Sequence, residues 1–182
     1  MNDLRRDYAL LAHVTERANR GEKVGKKALQ KMVHLLTRIA HIDSRYEFSL
    51  YTYGPFSRDL AEDMDLLSAS NVLSVNYDAS SRGYEITKGI DADKIISQFE
   101  GFISELDAKT DSLFEFFSGK SARSLEMYST LFFVVDHGLV EDVEDDRSVV
   151  SKFLEIKPKY TRVEASSALV SLRELLKKHP LN

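Results

Sequence analysis

Between Ser57 and Gly89 the apolar residues change their period, and that change admits few folds. Leu60, Met64 and Leu67 recur at three- and four-residue spacing, the repeat of a helix with one buried face. Ser57 stands ahead of them as an N-cap whose hydroxyl can accept a hydrogen bond from an orphan amide of the first turn, and Asp59 complements the positive end of the helix dipole. Asn71 falls where a left-handed terminating residue is wanted. From Val72 the repeat shortens. Val72, Leu73 and Val75 lead through Asn76 and Tyr77 into the polar loop Asp78-Ala79-Ser80-Ser81-Arg82-Gly83, and Tyr84, Ile86 and Thr87 return from it. Alternation and turn composition together predict a β-hairpin directly after a capped helix.

The flanking elements read as helices. Leu4, Tyr8, Leu11, Ala12 and Thr15 define a first one, stopped by Asn19-Arg20-Gly21. From Lys26 onward Leu29, Met32, Val33, Leu36, Ile39 and Ala40 form the apolar stripe of a second, which leaves Lys27, Lys31, His34, Arg38 and His41 for a basic exposed face. Phe48, Leu50 and Thr52 alternate with Ser49, Tyr51 and Tyr53, a short strand closed by Gly54-Pro55. Beyond the hairpin a long amphipathic helix is predicted over about residues 91–118, with others over Leu125 to Val135, over Val149 to Ile156 before Pro158, and from about Arg162. Helix, helix, short strand, capped helix, hairpin is the order of a winged helix. The expected fold is mostly α with a small β-hairpin (α+β). A winged-helix-like half over residues 1–90 packs with a helical half over residues 91–182, as one domain.

With 182 residues and no cysteine, the chain can bury a sizeable core but cannot use disulfides, thiolate nucleophiles or cysteine-based metal sites. Its most conspicuous apolar stretch, Leu131 to Val135, is far too short to span a bilayer. The first fourteen residues lack the apolar core of an export signal, so the cytoplasm is the expected compartment. The formal charge of −4 hides a segregation. Residues 1–41 carry nine basic and four acidic side chains, residues 42–146 carry eight and 22, and residues 147–182 carry eight and three. Either the basic ends pack on the acidic middle, or long helices simply differ in the charge of their solvated faces.

That distribution bears on function. A recognition helix in a DNA groove needs exposed positive charge, because phosphate contacts and counterion release supply much of the affinity. In the capped helix Arg58 is outnumbered by Asp59, Glu62, Asp63 and Asp65, which are better suited to a protein partner. The alternative is a DNA-binding regulator contacting phosphates through Arg17, Arg20, Lys23, Lys26, Lys27, Lys31 and Arg38, with Arg82 on the wing and the lysines between Lys157 and Lys178. The long helix near residues 91–118 could supply the seam of a homodimer.

Catalytic and metal-binding patterns are weak. His34 and His41 lie seven residues apart among cations, with no carboxylate between them. Glu141, Asp142, Glu144, Asp145 and Asp146 lack the alternating ligands and central glycine of a calcium loop, and read better as acids preceding a helix. Gly21 to Lys27 lacks the spacing of a phosphate-binding loop. No catalytic residue, metal site or cofactor is therefore assigned.

The segments Ala28-Leu29-Gln30-Lys31-Met32-Val33-His34-Leu35-Leu36 and Phe48-Ser49-Leu50-Tyr51-Thr52-Tyr53-Gly54-Pro55-Phe56-Ser57, followed by the stripe Leu60 to Leu67, resemble the YwgA-like family and, more distantly, the SocA-like (Panacea) antitoxin domain. Ser124 to Phe133 and Glu155 to Thr161 extend the similarity, while His34 and Asn71 depart from the pattern, which has an aromatic residue and glycine there. The resemblance implies a winged-helix-like, non-enzymatic cytoplasmic protein. From the SocA-like relatives it also implies an antitoxin or defence-associated role in binding a partner protein, often a toxin encoded nearby.

Overall fold

A computed structural model describes residues 4–19, 24–79 and 83–179. The element order is α1 (Leu4–Ala18), α2 (Lys26–Ile39), β1 (Ser49–Tyr51), β2 (Gly54–Phe56), α3 (Arg58–Ala69), β3 (Leu73–Asp78) and β4 (Gly83–Lys88). It continues with α4 (Ala92–Ile96), a 3₁₀ turn (Ser97–Phe99), α5 (Glu100–Phe117), α6 (Ala122–Asp136), α7 (Asp146–Ile156) and α8 (Arg162–Leu176). The class is α+β: mostly helix, with two antiparallel two-stranded sheets.

The segment that opened the sequence reading folds as its periods dictate. Ser57 Oγ accepts from Leu60 N at 3.3 Å, and Asn71 closes α3 at φ 58°. β3 and β4 pair from Leu73 opposite Lys88 to Asp78 opposite Gly83. Side-chain caps start three further helices: Ser121 on α6, Asp145 on α7, and Thr161 on α8 in a reciprocal capping box with Glu164.

Three expectations need correction. Gly54-Pro55 does not close a single strand. The chain turns at Thr52-Tyr53 and returns, so Gly54 pairs with Tyr51 and Pro55 with Leu50 in a hairpin of its own. Nor is residues 91–118 one helix, because Phe99 leaves helical geometry (φ −127°, ψ 31°) between the 3₁₀ turn and α5. Third, the basic face predicted for α2 is solvated only toward its ends, at Lys27, Arg38 and His41, and is buried in its middle. This helix is the central one, enclosed by α1, α3, α5, α6 and β2, so His34 is fully buried and Lys31 is 3% exposed.

One apolar core runs the length of the chain, from Leu10 and Leu11 of α1 through Leu29, Leu35 and Leu36 of α2 to Phe132 of α6, Phe153 of α7 and Leu172 of α8. The charge segregation resolves into pairing across it. Arg6 binds Asp43, Arg17 binds Asp107 and Asp111, Arg38 binds Asp136, and Arg173 binds Asp146. The basic ends pack on the acidic middle. Among the described residues no helix is long and apolar enough to cross a membrane.

Candidate functional site

The first turns of α2, the β1–β2 hairpin and α3 enclose a groove of about 330 Å³, within the size range of small-ligand and side-chain pockets. Its floor is apolar, formed by Phe56, Ala61 and Met64. Tyr51 and Tyr53 stand at its edge, 63% and 51% exposed. Lys27 Nζ lies 3.6 Å from the centroid of the Tyr53 ring, a cation–π contact that holds the ring at the mouth. On the α3 side Lys26 is bound to Asp65 at 2.5 Å.

Three long polar side chains hold the hairpin in place. Gln30 of α2 makes a two-way clamp on Ser57, its Nε2 donating to the carbonyl at 2.9 Å while Ser57 N donates to Oε1 at 3.0 Å. Lys31 Nζ donates to the Pro55 carbonyl at 2.8 Å, and Lys157 Nζ to the Thr52 carbonyl at 2.5 Å. The turn carbonyls therefore find partners in buried lysines rather than in water, and the lysines need a counterion. Glu126 of α6 supplies it, 2.9 Å from Lys157 through Oε1 and 2.9 Å from Lys159 through Oε2. The segments that carry the family resemblance, residues 28–36, 48–57, 124–133 and 155–161, thus converge on this one hairpin.

Burial pushes the Lys31 ammonium down to about 8, with Lys157 and Lys27 adding to the fall against the opposing pull of Glu126. Burial alone would raise the Glu126 carboxyl, but the hydrogen bonds and charges of Lys159 and Lys157 outweigh it and hold it below its ordinary value. Gly54 sits where these groups leave no room. At φ 85°, a Cβ there would lie 2.7 Å from Thr130 Oγ1 and 3.6 Å from Lys31 Cε. Gly54→Ala is expected to cost about 2 kcal/mol in chemical denaturation, from the left-handed backbone and the crowding together.

A second polar cluster lies between α1, the loop after α2, and α3. Arg45 Nη2 binds both Asp63 oxygens at 2.5 Å, and Tyr46 Oη donates to Asp63 Oδ2 at 2.9 Å. Asp7, fully buried beside them, accepts a long bond from Arg45 N at 3.4 Å and lies 3.7 Å from Arg45 Nε through Oδ2, while its Oδ1 has no hydrogen-bond partner among the described residues. Burial raises its carboxyl to about 6, against the opposing hydrogen bond from Arg45 and the charges of Arg6 and Arg45. The folded state then holds this proton more tightly than the unfolded chain, so the Asp7 contribution to stability is lost as pH rises from about 4 to about 6. The gain of Asp7→Asn over the parent should be about 2 kcal/mol larger at pH 7.5 than at pH 4.5, measured by urea denaturation at both. His34 titrates the other way. Burial among aromatic rings, with Lys31 and Arg38 nearby, keeps it neutral well below the usual histidine range, so its contribution falls as pH drops below about 6.5. The difference between variant and parent isolates Asp7.

The residues assigned from sequence are dispersed. Of the acidic set, Glu62 and Asp65 are exposed, Asp59 is half-buried, and Asp63 is buried in the Arg45 cluster, so it faces the interior rather than a partner. Of the basic set, Lys31 is buried under the hairpin, while Arg17 and Arg38 are spent on Asp107, Asp111 and Asp136. Of that set Lys26 and Lys27 stand at the groove mouth and the buried Lys31 lies deeper in its lining. Arg20, Lys23 and Arg82 lie outside the described residues. Sequence reasoning missed Tyr51, Tyr53, Gln30, Glu126 and Lys157 as site residues. The two tyrosines flanking the turn before Gly54-Pro55 were the available signal.

No family model matches the chain, and no curated protein matches it. The resemblance to YwgA-like and SocA-like proteins rests on the motif residues: those within 28–36 and 48–57 border the groove, while Glu126 and Lys157 support the hairpin from behind.

Proposed function

We propose that this chain is a non-enzymatic interaction protein of the antitoxin or defence-associated type, with a winged-helix-like N-terminal half, and that it binds a partner protein through the groove between α2, the β1–β2 hairpin and α3. The observation that carries the reading is the pair of exposed tyrosines set over an apolar floor on a rigidly clamped hairpin. Exposed tyrosines over an apolar floor at a preformed cleft are what a protein interface uses: large contact area at low entropic cost, with polar atoms at the rim. A toxin encoded beside this gene is the partner class that the family resemblance adds.

The DNA-binding alternative is less well supported. The exposed side of α3 carries Glu62 and Asp65, and among the described cations of the basic set Arg17, Lys26, Lys31 and Arg38 are buried or paired, which leaves Lys27. Fluorescence anisotropy against a short DNA duplex at low salt is expected to give no saturable binding. A strongly salt-dependent affinity abolished by Lys26→Glu with Lys27→Glu would overturn this reading in favour of a regulator. Co-expression with the neighbouring gene is the positive test: relief of its toxicity, lost on Tyr53→Ala, supports the antitoxin role.

A further inference from the structure

The groove is apolar at its floor but positively charged along one wall, and the two features together select a ligand. Lys27 and Lys31 are one helical turn apart on α2 and both line the groove, Lys27 exposed at its mouth and Lys31 buried beneath the hairpin. Lys157 lies behind them and is matched by Glu126, which Lys159 also shares. The cations around the hairpin thus outnumber their single buried carboxylate. Asp65, the acid on the opposite wall, is already bound to Lys26. A ligand carboxylate at this wall would meet the exposed Lys27 in the positive field that the buried Lys31 adds to, and an apolar side chain beside it would cover Phe56 and Ala61.

From this charge complementarity, and resting on the protein-binding function proposed above, we infer that the partner is engaged through a linear segment in which an aspartate or glutamate flanks a bulky apolar or aromatic residue. The apolar residue enters between Tyr51 and Tyr53 onto Phe56 and Ala61, and the acid faces Lys27, with the buried Lys31 behind it adding positive potential. The lysine wall disfavours a basic segment by direct repulsion, so the site selects for sign as well as for shape.

The test is selection of a random decapeptide phage library on the immobilised full-length chain, with Lys27→Glu, Tyr53→Ala and Lys109→Glu as parallel baits. Lys109 is exposed on α5, away from the groove lining, and controls for the change in net charge. Enriched peptides are expected to carry an acid within two positions of Phe, Tyr, Trp or Leu. Their capture should fall about tenfold on the Lys27→Glu and Tyr53→Ala baits and stay unchanged on Lys109→Glu. Basic or uncharged peptides whose capture is lost on Tyr53→Ala overturn the acidic assignment and leave the protein-binding groove standing. Absence of any enrichment that depends on Lys27 or Tyr53 overturns both assignments to this groove. Sedimentation of the chain alone runs beside it: a dimer broken by Tyr53→Ala places a second copy in the groove and overturns the peptide assignment.

Discussion

Replacing Glu126 with alanine is expected to destabilise the protein by about 4 kcal/mol in urea denaturation at neutral pH, the cost of breaking a buried ion pair from one side. Lys157 and Lys31 are each 3% exposed, and their ammonium groups hold the Thr52 and Pro55 carbonyls. Without Glu126 they must shed protons, draw in water or move, and in any of these events the hairpin loses its support. Glu126→Gln keeps an acceptor but removes the charge, so an intermediate loss is expected. The groove should suffer more than global stability suggests, with amide exchange at residues 50–56 accelerating ahead of the core helices. A loss below about 1 kcal/mol would mean that the lysines carry no net charge in the folded state.

Asp63→Ala should cost about 3 kcal/mol, because it strands the Arg45 guanidinium and the Tyr46 hydroxyl at once. Arg45 is partly open to solvent and can rehydrate, which places the loss below that of Glu126. Thermal denaturation of Asp63→Ala beside Glu62→Ala separates a structural from a surface role for this stretch of acids. Glu62, exposed one residue earlier, should behave like the parent.

Local order was readable from sequence wherever a local rule governs it. The Ser57 cap, the left-handed Asn71 and the β3–β4 hairpin follow from residue type and spacing, and the structure has each of them. The errors share one physical origin, which is that apolar periodicity identifies one buried face but is silent about a second. Lys31 and His34 lie off the apolar stripe of α2, yet both are buried, because the hairpin and α6 cover that side. What compensates Lys31 is Glu126, ninety-five positions away, and no local pattern announces that pairing. The Thr52-Tyr53 turn was hidden for a related reason: Gly54-Pro55 looks like a terminator, but Gly54 lacks the Cβ that would meet Thr130 and takes a positive φ at the start of the returning strand. The groove was legible only as residue types, exposed tyrosines and lysines near one motif; its floor required the placement of α3.

Chemical-shift mapping on the isotope-labelled full chain, titrated with the product of the neighbouring gene, examines the protein-binding groove most directly. Perturbations should concentrate at Lys27, Tyr51, Tyr53, Phe56 and Met64. Perturbations confined to the β3–β4 hairpin and the exposed side of α3, with the groove residues unmoved, would contradict it.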